Sequence, residues 1–326
     1  EIPLDDQKTF NMLARGETMG LFQLNGSGMT RYLKELKPST IHDINAMVAL
    51  YRPGPMQFIP DYIARKNNPN LIRYLDPALE SILKLTYGIL VYQDDLLIIA
   101  RELAGYSWLE IDKFRKAVGK KIPEEMQAQK DKFINGCIKT SSWSKKKSEQ
   151  IWSWIEPFAA YGFNKAHSVS YGLVAYQTAY MKANFPTEYM TAVLTAESGD
   201  VEKIAEIIHE CKRMKMPVLP PDINESFGDF TAIKNADGAR DEIRFGLYTI
   251  KNLGRDIADA IIAERKKTGM FTSYSNFLDR VKHKNLNKKS LEALVKSGAM
   301  DTLGERGTFL GNMEEALAYN RESSQQ

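Results

Sequence analysis

The sequence predicts a mostly α protein, with a multi-helix domain followed by a smaller helical domain that carries a few short strands. Three observations carry this. Apolar residues recur at helical spacing along most of the chain, most plainly at Val201, Ile204, Ala205, Ile208, Cys211 and Met214. The run Met216-Pro217-Val218-Leu219-Pro220-Pro221-Asp222 has three prolines in five residues, which marks a linker or domain edge near residue 217. Strand-like runs are confined to Phe227–Ile233 and Glu242–Leu247, on either side of the turn Asn235-Ala236-Asp237-Gly238. A length of 326 residues suits two domains of roughly 150 residues each.

The elements follow in order. Leu4 to Leu13 has early acids and apolar residues at helical spacing, a helix start. Gly16, Gly20, Gly26 and Gly28 punctuate a mixed helix-and-loop stretch to residue 50. Tyr51-Arg52-Pro53-Gly54-Pro55-Met56 cannot be helix interior, because two prolines and a glycine break it. Residues 76–105 read as helical after Asp76-Pro77. Ser107 to Val118 reads as a capped helix ending at Gly119, and Glu124 to Ile138 as another. Lys145 to Phe158 carries a buried face of Ile151, Trp152, Trp154 and Ile155. Ser168 to Phe185 is an apolar-rich helix stopped by Pro186. Beyond the proline run come helices over Arg255–Thr268, Tyr274–Val281 and Lys288–Lys296, then a polar tail over 313–326 whose last residues, Asn320–Gln326, are frayed. No long-period repeat is evident.

Composition excludes several classes. Forty-three per cent hydrophobic residues rule out global disorder. No run of about 18 apolar residues exists, so no transmembrane helix is expected. No basic-then-apolar leader opens the chain, which argues against secretion. Cys137 and Cys211 are too few for a disulfide framework and fit a reducing cytoplasm. Glu1 stands where an initiator methionine would, so the chain is expected to be a piece of something longer.

The net charge of +3 hides local clustering. From Lys113 to Lys147 there are eleven basic residues and three acids, an excess of the kind phosphate binding needs. Its sharpest part is Arg115-Lys116-Ala117-Val118-Gly119-Lys120-Lys121. A solvated helix face is the ordinary explanation of such a run; the glycine break favours convergence on one anion. A second cluster, Tyr161-Gly162-Phe163-Asn164-Lys165-Ala166-His167-Ser168, precedes a long helix whose N-terminal N–H groups attract anions, with Tyr161, Phe163 and Tyr171 as aromatic faces for bases. The same residues also fit a plain capping loop with Ser168 as the cap. The third cluster, Gly246 to Ile262, fits a helix-hairpin-helix around Lys251-Asn252-Leu253-Gly254-Arg255, whose turn N–H groups can hold a DNA backbone phosphate; a plain αα-hairpin fits as well.

Catalytic metal chemistry is not visible. Two-metal nucleotidyl transfer needs carboxylates that share ions, and no D-x-D occurs. Glu110-x-Asp112 and Asp200-x-Glu202 fall at helix starts, where the dipole favours acids. Asp5-Asp6, Asp94-Asp95 and Glu124-Glu125 are adjacent, which does not aim two carboxylates at one ion in a strand. The four histidines are scattered, and neither G-x-S-x-G nor a P-loop is present.

Taken together, Gly20-Leu-Phe-Gln-Leu24, Tyr51-Arg-Pro-Gly-Pro55, Gly88-Ile-Leu-Val-Tyr-Gln93, Arg115-Lys-Ala-Val-Gly-Lys-Lys121 with Pro123-Glu-Glu-Met126, Tyr161 to Ser168, Tyr176-Gln177, Leu219-Pro-Pro-Asp-Ile-Asn224 and Lys251-Asn-Leu-Gly254 resemble the bacterial replicative DNA polymerase III alpha subunits. The ordered set spans roughly residues 3–310. The resemblance implies a fingers domain over 1–216 and a tandem helix-hairpin-helix domain over 217–312. It implies that Arg115, Lys116, Lys120 and Lys121 contact the triphosphate of an incoming dNTP. Asn164, Lys165 and His167 would line the nascent base-pair pocket, with Arg52 nearby, and Lys251, Asn252, Leu253, Gly254 and Arg255 would meet DNA.

The family's catalytic aspartates lie in a palm upstream of this stretch, so Mg²⁺ is expected in the parent enzyme and not on this chain. The resemblance also implies primer-template DNA as partner, and a sliding clamp, clamp loader and proofreading subunit through regions mostly outside this chain, in the cytoplasm at the nucleoid and away from membranes. A stand-alone non-catalytic DNA-binding or scaffold protein is the alternative. Two departures stand out. Lys116 occupies a position where many members have Arg, which loses a bidentate fork. Asn252 stands where the hairpin often has Gly, but Asn tolerates positive φ, so the turn is expected to survive.

Overall fold

A computed structural model describes residues 1–120, 123–158, 162–234 and 241–322, with Lys120 described by its backbone alone. The expectations for the Lys120 side chain, Lys121, Tyr161, the turn at Asn235–Gly238 and the last four residues lie outside the described residues. The chain forms two compact units, Glu1–Asn184 and Phe185–Gln326. The expected class holds: both units are mostly helical, and the second contains one small sheet.

The first unit runs through α1 (Gln7–Ala14), α2 (Ser27–Leu36), α3 (Ile41–Leu50), α4 (Ile59–Asn67), α5 (Glu80–Leu83), α6 (Gln93–Ala104), α7 (Trp108–Lys120), α8 (Pro123–Ser141), α9 (Lys145–Phe158) and α10 (Lys165–Asn184). Asp6 caps α1 by accepting from the Thr9 N–H. Thr40 and Asp43 form a capping box on α3. Helices α6 to α9 close over an aromatic core in which Phe133 lies 5.6 Å from Trp152, and Phe114 lies 6.3 Å from it. Long helix α10 packs on α1 and α3.

Several expectations change here. Residues 76–105 are not one helix. Tyr87 and Gly88 take positive φ in succession, 55° and 78°, and end the first helical stretch before α6 begins. Gly119 does not end α7, which runs through it to Lys120. Helix α10 starts three residues earlier than expected. On α9, Ile151, Trp152 and Ile155 are buried but Trp154 faces outward.

The second unit opens with α11 (Pro186–Ala196) and α12 (Val201–Arg213), which pack on β1 (Val218–Leu219), β2 (Thr231–Ile233) and β3 (Glu242–Arg244). The sheet order is β1-β3-β2, with β1 parallel and β2 antiparallel to β3. Met190, Leu194, Ile207, Cys211 and Ile243 form the core of this part. Most of the α12 stripe packs as expected: Cys211 is buried and Ile204, Ile208 and Met214 pack against this core, joined by Ile207, whereas Val201 is exposed. The proline run therefore lies inside this unit. Its residues Val218 and Leu219 are strand β1, and Asn224 exchanges hydrogen bonds with the Phe271 backbone in both directions, at 2.9 and 2.7 Å.

A second cluster gathers α13 (Arg255–Thr268), α14 (Tyr274–Arg280), α15 (Lys288–Lys296), α16 (Arg306–Gly311) and α17 (Met313–Glu322). The segment read as a polar tail is, as far as it is described, helix α17. Met313, Ala316 and Leu317 join the core, and Asn320 is buried because its amide donates to the Leu278 and Val281 carbonyls.

Candidate functional site

Two acids at the start of α6 receive the start of α10. The Lys165 N–H donates to Asp94 Oδ2 at 2.8 Å, and Lys165 Nζ donates to Asp95 Oδ1 at 2.9 Å. The Gln93 N–H donates to the Phe163 carbonyl at 2.9 Å, and Tyr92 and Phe163 form a parallel bridge. Asn164 Oδ1 accepts from the His167 N–H at 2.8 Å, so Asn164 is the cap of α10. Ser168, expected as a possible cap, is instead buried and donates to the Asn45 carbonyl at 2.6 Å. Two N–H groups of this helix start are therefore already taken by side chains. Burial pushes the Asp95 carboxyl above the ordinary carboxylate range, against the opposing pull of the Lys165 ammonium.

Along the same helix runs a row of rings. The Arg52 guanidinium lies 4.4 Å over Phe163, Phe163 is 5.4 Å from His167, His167 is 4.1 Å from Tyr171, and Tyr171 is 5.4 Å from Phe22. This row joins three strings that are far apart in sequence. Burial lowers the Arg52 guanidinium's affinity for its proton, and its Nε donates to the Ala49 carbonyl. Phe22 is held because its N–H donates to Thr178 and because buried Lys182 donates to the Glu17 and Met19 carbonyls ahead of it. Phe22 lies in the Gly20–Leu24 string but was not expected at the site. The row thus brings together Arg52, Phe163 and His167, with Asn164 and Lys165 alongside.

Arg115 and Lys116 sit elsewhere, on the exposed face of α7. Both pair with Asp112 one turn earlier, at 2.9 and 2.7 Å. Phe114 and Val118 on the opposite side enter the aromatic core. Ser107 and Glu110 cap this helix, and the Lys132 ammonium, with the Ser107 bonds, holds Glu110 down to about 2. Glu110 and Asp200 both serve helix starts, Asp200 by accepting from the Glu202 and Lys203 N–H groups. Among the described residues, no group of three or more His, Cys, Asp or Glu side chains could hold a metal ion.

The hairpin turn at Lys251–Gly254 forms as expected. Asn252 adopts φ +70°, the Leu253 N–H donates to the Ile250 carbonyl at 3.1 Å, and Leu253 is buried. Arg255 lies 4.9 Å over the Tyr248 ring. Beside the turn is a cleft of about 500 Å³ lined by Lys251, Asn252, Lys289, Glu292 and Lys296.

A second hairpin follows, as the implied tandem arrangement requires, although its place was not picked out in the sequence. Lys284-Asn285-Leu286 repeats Lys251-Asn252-Leu253, the Leu286 N–H donates to the His283 carbonyl at 2.9 Å, and Leu286 is buried like Leu253. The shared Lys-Asn-Leu before each helix was the signal available in sequence. The two differ in capping. Asn287 accepts from the Lys289 and Ser290 N–H groups, whereas Gly254 has no side chain to cover the first turn of α13.

Comparison with known proteins agrees with this architecture. Residues 1–141 match the family model for the bacterial DNA polymerase III alpha subunit finger domain, and residues 215–308 match a helix-hairpin-helix motif. The class is thus a helical finger domain with a helix-hairpin-helix domain. The chain is 44% identical to DNA polymerase III subunit alpha of Thermus aquaticus over 99% of its length, and 44% identical to that of Deinococcus radiodurans over 97%. The Borreliella burgdorferi protein is 43% identical, again over 97%. The chain belongs to the bacterial DNA polymerase III alpha subunit family. It spans about a quarter of these relatives, 26%, 24% and 27% of their lengths.

Proposed function

We propose that this chain is the part of a replicative DNA polymerase that holds the incoming dNTP and the primer-template duplex. The parent reaction is template-directed addition of a deoxynucleotide to a primer 3′ end. The observation that carries this reading is the Arg52–Phe163–His167–Tyr171–Phe22 row, which lines up one cation, one imidazole and three aromatic rings beside the start of α10. Aromatic faces stack on bases of any sequence, and cations attract phosphate. In the basic string, Arg115, Lys116, Lys120 and Lys121 meet the triphosphate. Asp112 then acts as a placeholder: a triphosphate displaces it from Arg115 and Lys116 with little structural cost, because both pairs are solvated.

Mg²⁺ is held by carboxylates outside this chain, and the chain alone does not extend a primer. In the second unit, the uncapped first hairpin takes the DNA backbone phosphate, with Lys251 and Arg255 supplying charge. The polymerase works in the cytoplasm, with clamp, clamp loader and proofreading subunit bound mainly through other regions. Steady-state kinetics of the full-length polymerase test the reading. His167→Ala, and separately Arg115→Ala with Lys116→Ala, should lower kcat/KM for dNTP by about 10- to 100-fold. Unchanged kinetics in both variants would return these residues to a solvated surface.

A further inference from the structure

We infer that Asp95 is a positioning residue of the nucleotide site: its buried carboxylate locks Lys165, and through Lys165 sets the Phe163–His167 segment. This rests on the site reading above and changes the role of Lys165 within it. In this structure, Lys165 Nζ is bonded to Asp95 and lies 5.3 Å from the Tyr92 ring, while its N–H is bonded to Asp94. Asp95 is 1% exposed. The pair lines a cavity of about 230 Å³ with His42, Asn45, Thr86 and Tyr92 as further polar residues and Leu4, Ile41, Val169 and Leu173 among the apolar ones. Low local polarity strengthens a bond between opposite charges and raises the cost of leaving either one alone.

Buried ion pairs contribute little net stability compared with an apolar filling, and their best attested use is to specify one arrangement over others. Here the arrangement specified is the register between the start of α6 and the start of α10. The backbone link from Gln93 to Phe163 and the Tyr92–Phe163 bridge sit beside the pair and depend on the same register. Phe163 carries Arg52 on its face and His167 at its edge. A shift at Lys165 therefore moves Phe163 and His167 relative to Arg52. Lys165 acts through this fixation and does not bind the triphosphate directly.

A double-mutant cycle in the full-length polymerase decides the matter. Asp95→Asn, Lys165→Met and the double variant are compared by dNTP kcat and KM, with His167→Ala as a control for the site itself. The inference expects each single variant to lose about 10-fold in kcat/KM, with the double variant no worse than the poorer single. If Lys165 meets the triphosphate, Asp95→Asn frees it: KM then stays unchanged or falls while Lys165→Met alone suffers, and the inference is overturned. Losses that multiply in the double variant overturn it too. Should Asp95→Asn fail to fold, amide exchange across Phe163–His167 in Lys165→Met replaces it; faster exchange there supports the lock, and unchanged exchange removes it. Full activity of His167→Ala would sink the site reading, while the coupling between Asp95 and Lys165 still stands or falls on the cycle.

Discussion

Helices α7 and α10 each present basic residues from strings that the sequence marks as candidate phosphate sites, yet the fold treats them in opposite ways. On α7, Arg115 and Lys116 find their carboxylate on their own helix and stay more than half exposed, at 54% and 62% of their side chains. On α10, Lys165 finds its carboxylate on another helix, and that carboxylate is buried. A cation paired within one helix reports nothing about tertiary position. A cation paired across elements helps to build the site. Charge clustering alone therefore finds candidates without separating the groups that meet a ligand from those that aim them.

The glycines of the two helices sharpen this contrast most. Adding a Cβ at Gly172 of α10 would place it 1.9 Å from Asn45 Oδ1 of α3, whereas nothing lies within 4 Å of a Cβ at Gly119 of α7. Gly172→Ala should destabilise by about 2–3 kcal/mol through overpacking. Gly119→Ala should stabilise by about 0.5–1 kcal/mol through helix propensity. Denaturant midpoints of both variants check this; equal shifts would erase the distinction between a seated and a free helix.

The cations come next. Lys165→Met leaves Asp95 buried without its ammonium, and should cost about 2 kcal/mol, less than a fully buried pair because Lys165 is partly solvated. Arg115→Ala should stay within about 0.5 kcal/mol. Thermal unfolding measures both, and a loss at Arg115 as large as at Lys165 would break the comparison.

The smallest effect is on pH dependence. The folded-state value of Glu110 lies near 2, below its ordinary 4.5, so its contribution is present above the ordinary value and is lost as pH falls toward 2. Asp95 has the opposite sign. Its raised carboxyl favours the folded state below the ordinary value of 3.8, and that contribution is lost as pH rises through the folded value. In Tm measured against pH, Glu110→Gln should flatten the acid limb, and Asp95→Asn should steepen it. Matching slopes would show that the two carboxylates share one environment.

Much of the fold was legible because the helices are amphipathic and punctuated by caps and prolines. The observed bounds of α9, α13 and α15 coincide with those read from the sequence. The misses have physical causes. A break such as Tyr87-Gly88 depends on positive φ at a non-glycine, which no periodicity reveals. Trp154 and Val201 are apolar, and which of several apolar helix positions turns inward depends on the neighbours that pack there. At the candidate site, Arg52, Asn164, Lys165 and His167 were singled out by their strings. Asp94 and Asp95 were weighed only as metal ligands, since adjacency in sequence does not show that both would reach the start of another helix.

By itself the sequence determined the helical class, the family, the hairpin with Asn252 at positive φ, and the location of positive charge. Those properties depend on local propensity, residue order and composition. Only the tertiary structure decided that Arg52, Phe163, His167, Tyr171 and Phe22 form one row, that Lys165 faces a buried acid, and that the first hairpin is open where the second is capped. These depend on which surfaces meet across long stretches of chain: α10 can lie against α3 only because Gly172 leaves room for Asn45.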